Sequence, residues 1–288
     1  MTKVPGACIQ GVFINLDISY DRRESCTKQL NDCNLITRYR RLSGIDGKTA
    51  VKSYPNLSFT AGKLGCWLSH IKAMELGLEH DCHHHILEDD FLLTPVFKNF
   101  SEKFENLVVP LNDWDIIFTD VDVAGMRDVS AMSKLIKQAE KLVVEKRVVF
   151  QDARSLFAAG NSSYIINRER KERVLTLMRH GPKTGLPNDL YMRKLIREGV
   201  LKAFVTVPFV TSVSGHFNNS TIWGNIEDTN PSIMFSTMFR QSLAFGSDTS
   251  GILETFRQRI NQLQPISNRG MIYAQLVAHF VSDDYKPY

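Results

Sequence analysis

The stretch HDCHHHILEDDFLL, residues 80–93, places four histidines, a cysteine and four carboxylates in fourteen positions. Imidazole, thiol and carboxylate all ligate metals, so one cluster, two clusters, or one site with an unrelated prefix must be told apart. Strand geometry separates them. At about 3.3 Å per residue an extended chain puts His83 roughly 23 Å from Asp90, and His85 roughly 13 Å from Asp89, beyond the reach of one ion. HDCHHH is therefore read as a helix-to-strand connection, with His80 and its neighbours near the negative end of the preceding helix. LEDD is read as the chemical part. Glu88 and Asp90, two apart on a strand, leave the same face and Asp89 the opposite one. Carboxylate oxygens suit Mn²⁺ or Mg²⁺, ions commonly shared with substrate phosphates. The bland alternative is a solvated acidic turn at a strand end.

The elements that must position this turn follow from pattern. IQGVFINL (9–16) reads as a buried strand, and ITRYRRLSGIDGKT contains a second, with a turn at Asp46-Gly47. From Leu64 to Asp81 apolar residues recur at three- and four-residue steps, which predicts a helix with one buried face. HHHILEDDFLL and DWDIIFTDVDV read as strands, apolar in the middle and acidic at the carboxyl end, as in open α/β sheets that bind ligands there. SAMSKLIKQAEKLVVEK predicts an amphipathic helix. RVVFQDA and SSYIIN predict strands, followed by helices after Asn167 and within LPNDLYMRKLIREG. VLKAFVTVPFVTSV carries a proline and is expected near a sheet edge. After about Trp223 the pattern turns helical. The division expected is a catalytic domain over 1–223 and a helical extension over 224–288.

The chain has 288 residues, 43% hydrophobic and 23% charged, the balance of a globular protein close to the size limit of one core. A formal charge of +4 is compatible with an anionic substrate and too small to argue for nucleic acid. Five cysteines without a CxxC pair point away from a zinc or disulfide framework and toward a reducing compartment. No stretch has the roughly 18 apolar residues of a spanning helix. The expected location is cytoplasmic, with membrane contact at most peripheral.

Four ordered segments, VFINLDISYDRR, RRLSGIDGK, AGKLGCWLSHIKAMELGLEH and HILEDDFLL, resemble glycosyltransferase family 25, the lipooligosaccharide and collagen galactosyltransferase family. The likeness continues less sharply through WDIIFTD, SSYIIN and PNDLYM, to about residue 220. One departure is Lys63 after Gly62, where the family usually has glutamate. The resemblance implies a GT-A-like, Rossmann-type mixed α/β sheet flanked by helices. It also implies a DxD-like motif, falling on Glu88, Asp89 and Asp90, that holds a divalent ion against a nucleotide-sugar diphosphate. Asn15, Leu16, Arg22 and Arg23 then fall on the nucleotide and phosphate side, and Asp46, Gly65, Ser69 and His70 on the donor-side motifs; a solvated helix start is the alternative for the two arginines, and buried structural polarity the alternative for His70.

On that footing the expected activity is metal-dependent, inverting transfer of a hexose, galactose from UDP-galactose, to a glycan or glycolipid acceptor such as a lipooligosaccharide core. Such transfer needs a base for the acceptor hydroxyl. Asp189 matches a family carboxylate and leads; a helix cap is its alternative role. Asp120 and Asp122 follow, with lining of the donor pocket as their alternative role. His216 is a candidate third metal ligand, against a plain surface histidine. The helical tail has dimerisation, acceptor binding and peripheral membrane contact as open uses. A non-catalytic nucleotide-sugar-binding member and a metal-dependent phosphohydrolase are the other classes.

Overall fold

The computed structural model describes residues 9–54, 59–111, 113–122, 129–156, 159–214, 219–220, 224–225, 231–252 and 254. In chain order the elements are β1 (Ile9–Asn15), α1 (Tyr20–Asp32), β2 (Tyr39–Ser43), α2 (Gly47–Ser53), α3 (Ala61–Gly77), β3 (His83–Glu88), β4 (Phe91–Leu93) and α4 (Phe97–Val108). Then come β5 (Ile116–Phe118), α5 (Val129–Val144), β6 (Val149–Asp152), α6 (Ala153–Leu156), β7 (Ser163–Ile166), α7 (Lys171–His180), α8 (Asn188–Arg197), β8 (Ala203–Val207) and β9 (Thr211–Val213). A short ladder of β10 (Asn219–Ser220) and β11 (Gly224–Asn225) precedes α9 (Pro231–Ser242).

Seven strands form one sheet in the order β2-β1-β3-β7-β5-β8-β6. β2, β1 and β3 are mutually parallel, β7 runs against both β3 and β5, and β8 is parallel to β5 while β6 opposes it. β4 and β9 pair separately as a small antiparallel ribbon. The expected mixed, Rossmann-like α/β sheet is thus the fold.

Period-two alternation sorts the core into two layers. Ile9 and Phe13 of β1, Leu87 of β3, Ile117 of β5 and Ile165 of β7 pack with Leu30 of α1 and Phe97, Phe100 and Phe104 of α4. Their neighbours Val12, Ile86, Ile116, Phe118, Tyr164 and Ile166 pack on the other face with Trp67 and Met74 of α3 and with α7 and α8. Each fully buried aliphatic or aromatic side chain contributes about 1.5–3 kcal/mol to this assembly.

Three local expectations are corrected. β3 begins at His83, so His83, His84 and His85 are buried strand residues, as in the strand reading of HHHILEDDFLL, and the connection read from HDCHHH ends at Cys82. Each ring finds partners there, which makes burial tolerable. His85 Nδ1 lies 2.8 Å from the Tyr39 hydroxyl and Nε2 3.0 Å from Ser163 Oγ. His84 Nε2 donates to Ala73 O at 2.8 Å, and His83 Nδ1 accepts the Arg168 N–H at 3.1 Å. Second, HILEDDFLL is two strands, β3 and β4, split at Asp89-Asp90. Third, VLKAFVTVPFVTSV is two strands, β8 and β9, split around Pro208; β8 is second from the sheet edge, and Pro208, just after its last residue, removes no ladder donor. Helix α3 also starts earlier than its periodicity suggests, since Thr60 accepts the Lys63 N–H as N-cap.

The expected boundary at 223/224 falls inside the β10–β11 ladder. α9, beyond it, is tied to the sheet region: Phe209 N–H donates to Leu243 O at 2.9 Å and Phe245 N–H to Phe209 O at 2.8 Å.

Candidate active site

The carboxyl ends of the parallel strands converge with the start of β7. Asn15 closes β1, Glu88 closes β3, and Thr119-Asp120 follow β5. Such an edge is where open α/β sheets bind ligands.

Asn15 is buried and its amide is a junction. Its Oδ1 accepts from Arg41 Nε at 3.0 Å, and its Nδ2 donates to Asp89 Oδ2 at 2.8 Å and Ser19 O at 3.0 Å. A guanidinium only donates and a carboxylate only accepts, which fixes the orientation of the amide. Arg41 also pairs with Asp17, whose other oxygen accepts from Ser43 Oγ at 2.9 Å.

The acidic turn divides its three side chains. Asp89 faces α1, where Arg22 Nη1 lies 2.7 Å from its Oδ1 and Cys26 Sγ donates to its main-chain oxygen at 3.3 Å. Arg23 turns back over the Tyr20 ring, 4.8 Å from its centroid, so Arg22 is the arginine on the turn. Glu88 faces α3. Its Oε1 is 3.0 Å from His70 Nε2, and His70 Nδ1 is 2.9 Å from the Tyr164 hydroxyl. Burial pushes the Glu88 carboxyl up, but the hydrogen bond and charge of His70 outweigh it, and the net shift is downward. Cys66 Sγ approaches the same Glu88 oxygen at 4.0 Å and receives Asn188 Nδ2 at 3.6 Å. Burial and the Glu88 charge hold that thiol well above its ordinary pKa in the absence of a cation, and Cys66, His70 and Glu88 bring three possible ligand atoms within 4.8 Å of one another.

Asp90 differs from both. Its main-chain oxygen accepts the Ser214 N–H at 2.7 Å, while its buried Oδ1 has no hydrogen-bond partner among the described residues. Burial, reinforced by the Glu88 charge, pushes the carboxyl up to about 7. A buried carboxylate without a partner is costly, and a hard cation relieves that cost. The donor set therefore fits a divalent ion: Asp90 offers an unspent oxygen, and Glu88 adds a second carboxylate.

The remaining candidates have defined places. Asp120 is fully buried and ion-paired to Arg240, whose Nε donates to Asp120 Oδ2 at 2.8 Å. Its carboxylate is engaged by Arg240 and by Ser162 Oγ at 3.5 Å. Asp122 bridges to Ala159 and borders Gly160, which has φ +74°. Asp189, half-buried at the start of α8, accepts the Gly160 N–H at 3.1 Å and the Leu190 N–H at 2.8 Å. Asp46 caps α2 through the Lys48 N–H at 3.0 Å. Ser69 accepts from Ile45 N–H at 2.8 Å and donates to Gly65 O at 2.7 Å. A Cβ on Gly65 would lie 2.5 Å from Ile45 O. Gly65 and Ser69 thus clamp α3 to the loop after β2, and Leu16 O accepts Ser19 N–H in the turn after β1. Gly65 and Ser69 thereby shape the loop beside the site, while Asp46 stays exposed at the start of α2. His216 lies outside the described residues.

Arg41, Tyr164, Asn188, Ser162 and Arg240 escaped the sequence reading. Only Arg41, an arginine inside a buried strand, left a local signal.

A Rossmann-like sheet with a clamped acidic turn at its carboxyl edge has the framework of a glycosyltransferase. A family model described as glycosyltransferase family 25 (LPS biosynthesis protein) matches residues 9–192, more than half of the chain, and the chain belongs to that family. No curated protein matches it. No helix among the described residues is long and apolar enough to cross a membrane.

Proposed function

We propose that this glycosyltransferase is metal-dependent and inverting, and moves a hexose, galactose from UDP-galactose, onto a hydroxyl of a lipopolysaccharide-type glycan acceptor. The observation that carries the metal is Asp90, a buried carboxylate with an unpartnered oxygen beside Glu88 at the end of β3. Asp90 and Glu88 would hold Mn²⁺ or Mg²⁺, which when bound supplies positive charge against the diphosphate leaving group. UDP and galactose rest on the family likeness.

The chain's own residues supply the rest. Asp89, fixed between Asn15 and Arg22, stiffens the turn, and Arg22 brings a cation to the phosphate side. Asp189 is the proposed base, oriented by two backbone N–H groups and half-open to solvent. In a single displacement the acceptor oxygen bonds to the anomeric carbon, the bond to the diphosphate oxygen breaks, and the acceptor proton passes to Asp189.

A panel of UDP-hexoses assayed for UDP release, with Mn²⁺ and with chelator, tests the reading. Metal-dependent release from UDP-galactose supports it. Metal-independent release, or no release from any donor, overturns it.

A further inference from the structure

Two consecutive residues of α9 hold residues that flank opposite ends of the acidic turn. Arg240, 5% exposed, donates to Ser162 Oγ as well as pairing with Asp120. Ser162 in turn accepts the Glu88 N–H through its main-chain oxygen at 2.7 Å. Gln241 Nε2 donates to Val213 O at 3.0 Å, and the next residue, Ser214, gives its N–H to Asp90 O at 2.7 Å. Val213 also pairs with Phe91 across the β4–β9 ribbon. Besides the side-chain contacts of Glu88 and Asp89, the turn is thus tied at its entry and at its exit by one main-chain hydrogen bond each, and α9 braces the residue that accepts the first and the strand that leads to the donor of the second.

We infer that Arg240 and Gln241 are positioning residues for the Glu88–Asp90 turn, so that the site is complete only when α9 is docked. Both lie beyond residue 192, where the family match ends. Arg240 does this beyond its service as counter-ion to Asp120. A counter-ion alone needs one carboxylate; this guanidinium spans a carboxylate and the hydroxyl of the residue that anchors Glu88. The consequence for catalysis rests on the proposed metal-dependent transfer. The consequence for the turn does not.

The test separates the two. Arg240→Met alone leaves Asp120 buried and unpaired and is expected to destabilise the protein, so it is combined with Asp120→Leu, since a buried ion pair replaced by apolar residues is often neutral for stability. Amide hydrogen exchange is measured on the metal-free full chain. The double variant is expected to speed exchange at Glu88 N–H, and Gln241→Leu at Ser214 N–H, each by roughly three- to tenfold, the worth of one hydrogen bond. Amides of β1 should stay unchanged. UDP-galactose turnover in the presence of Mn²⁺ should fall in both variants mainly in kcat, and Arg240→Lys should restore part of it. Unchanged exchange at both amides overturns the inference, as does wild-type turnover in the folded double variant. Altered exchange in a protein whose wild type turns over no UDP-hexose upholds the bracing of the turn and overturns its catalytic consequence together with the proposed function.

Discussion

Asp89 Oδ2 accepts a 2.8 Å hydrogen bond from Asn15 Nδ2, joining the ends of β1 and β3 across 74 residues of sequence. With Arg22 on its other oxygen, this carboxylate is spent on structure, and Asp90 next to it is left with an unspent oxygen. That division of labour within one turn underlies the predictions.

Releasing Asp89 should loosen the turn without unfolding the protein. Arg22→Gln removes a charge-assisted bond at a side chain 13% exposed. Groups that orient metal-binding residues typically account for about 10–100-fold in metal affinity or activity. A loss of that size in UDP-sugar turnover by a protein that stays folded, with the melting temperature lowered by the uncompensated Asp89 charge, is the expected outcome in parallel kinetic and thermal assays.

Asp90→Asn should remove turnover and stabilise the metal-free protein. The Asp90 pKa is raised from 3.8 to about 7, chiefly by burial, so between these values the folded state holds a proton that the unfolded state has lost. Above pH 7 the buried charge opposes folding. The variant's advantage is therefore largest near pH 8, shrinks as pH falls, and vanishes below about pH 4, changing by at most about 1.4 kcal/mol for each pH unit crossed. Urea unfolding in chelator at pH 8 and pH 4 measures it. Mn²⁺ should raise the stability of the wild type and leave the variant unmoved.

The histidines of β3 predict acid lability. Burial lowers His84 and His85 from 6.5 to about 3, so both fold neutral. Stability is present above pH 6.5 and is lost as pH falls toward 3, by up to about 1.4 kcal/mol per pH unit for each fully buried ring. His85→Gln should flatten that slope between pH 6.5 and 4, whatever its effect at pH 8. An unchanged slope in urea titrations would contradict this assignment.

Gly65→Ala tests whether the helix clamp is structural. The new methyl would meet Ile45 O at 2.5 Å, so a loss of about 1–3 kcal/mol is expected from overpacking. Donor affinity of the folded fraction should stay near wild type, which calorimetry with UDP can show.

Much of this was legible locally. The apolar runs of β1, β3 and β7 and the acidic strand end declared themselves, because sheet strands buried on both faces read as continuous apolar segments. His83–His85 were read both as connection and as strand, because polarity argues against a buried strand until each ring's partner is known, and Tyr39, Ala73 and Arg168 come from other elements. Asp189 looked alike as cap or base, since both begin a helix with a carboxylate. Arg240 was out of reach: its partner Asp120 is 120 residues away, and nothing in the helical pattern around it marks one arginine for burial.

The central claim, that Asp90 serves metal-dependent glycosyl transfer, is tested most directly by UDP release from UDP-galactose by wild type and Asp90→Asn, each with Mn²⁺ and with chelator. The expected result is release by wild type with Mn²⁺ alone, and none by a variant whose circular dichroism is unchanged. Equal turnover in the variant, turnover in chelator, or inorganic phosphate as the product in place of UDP would contradict it.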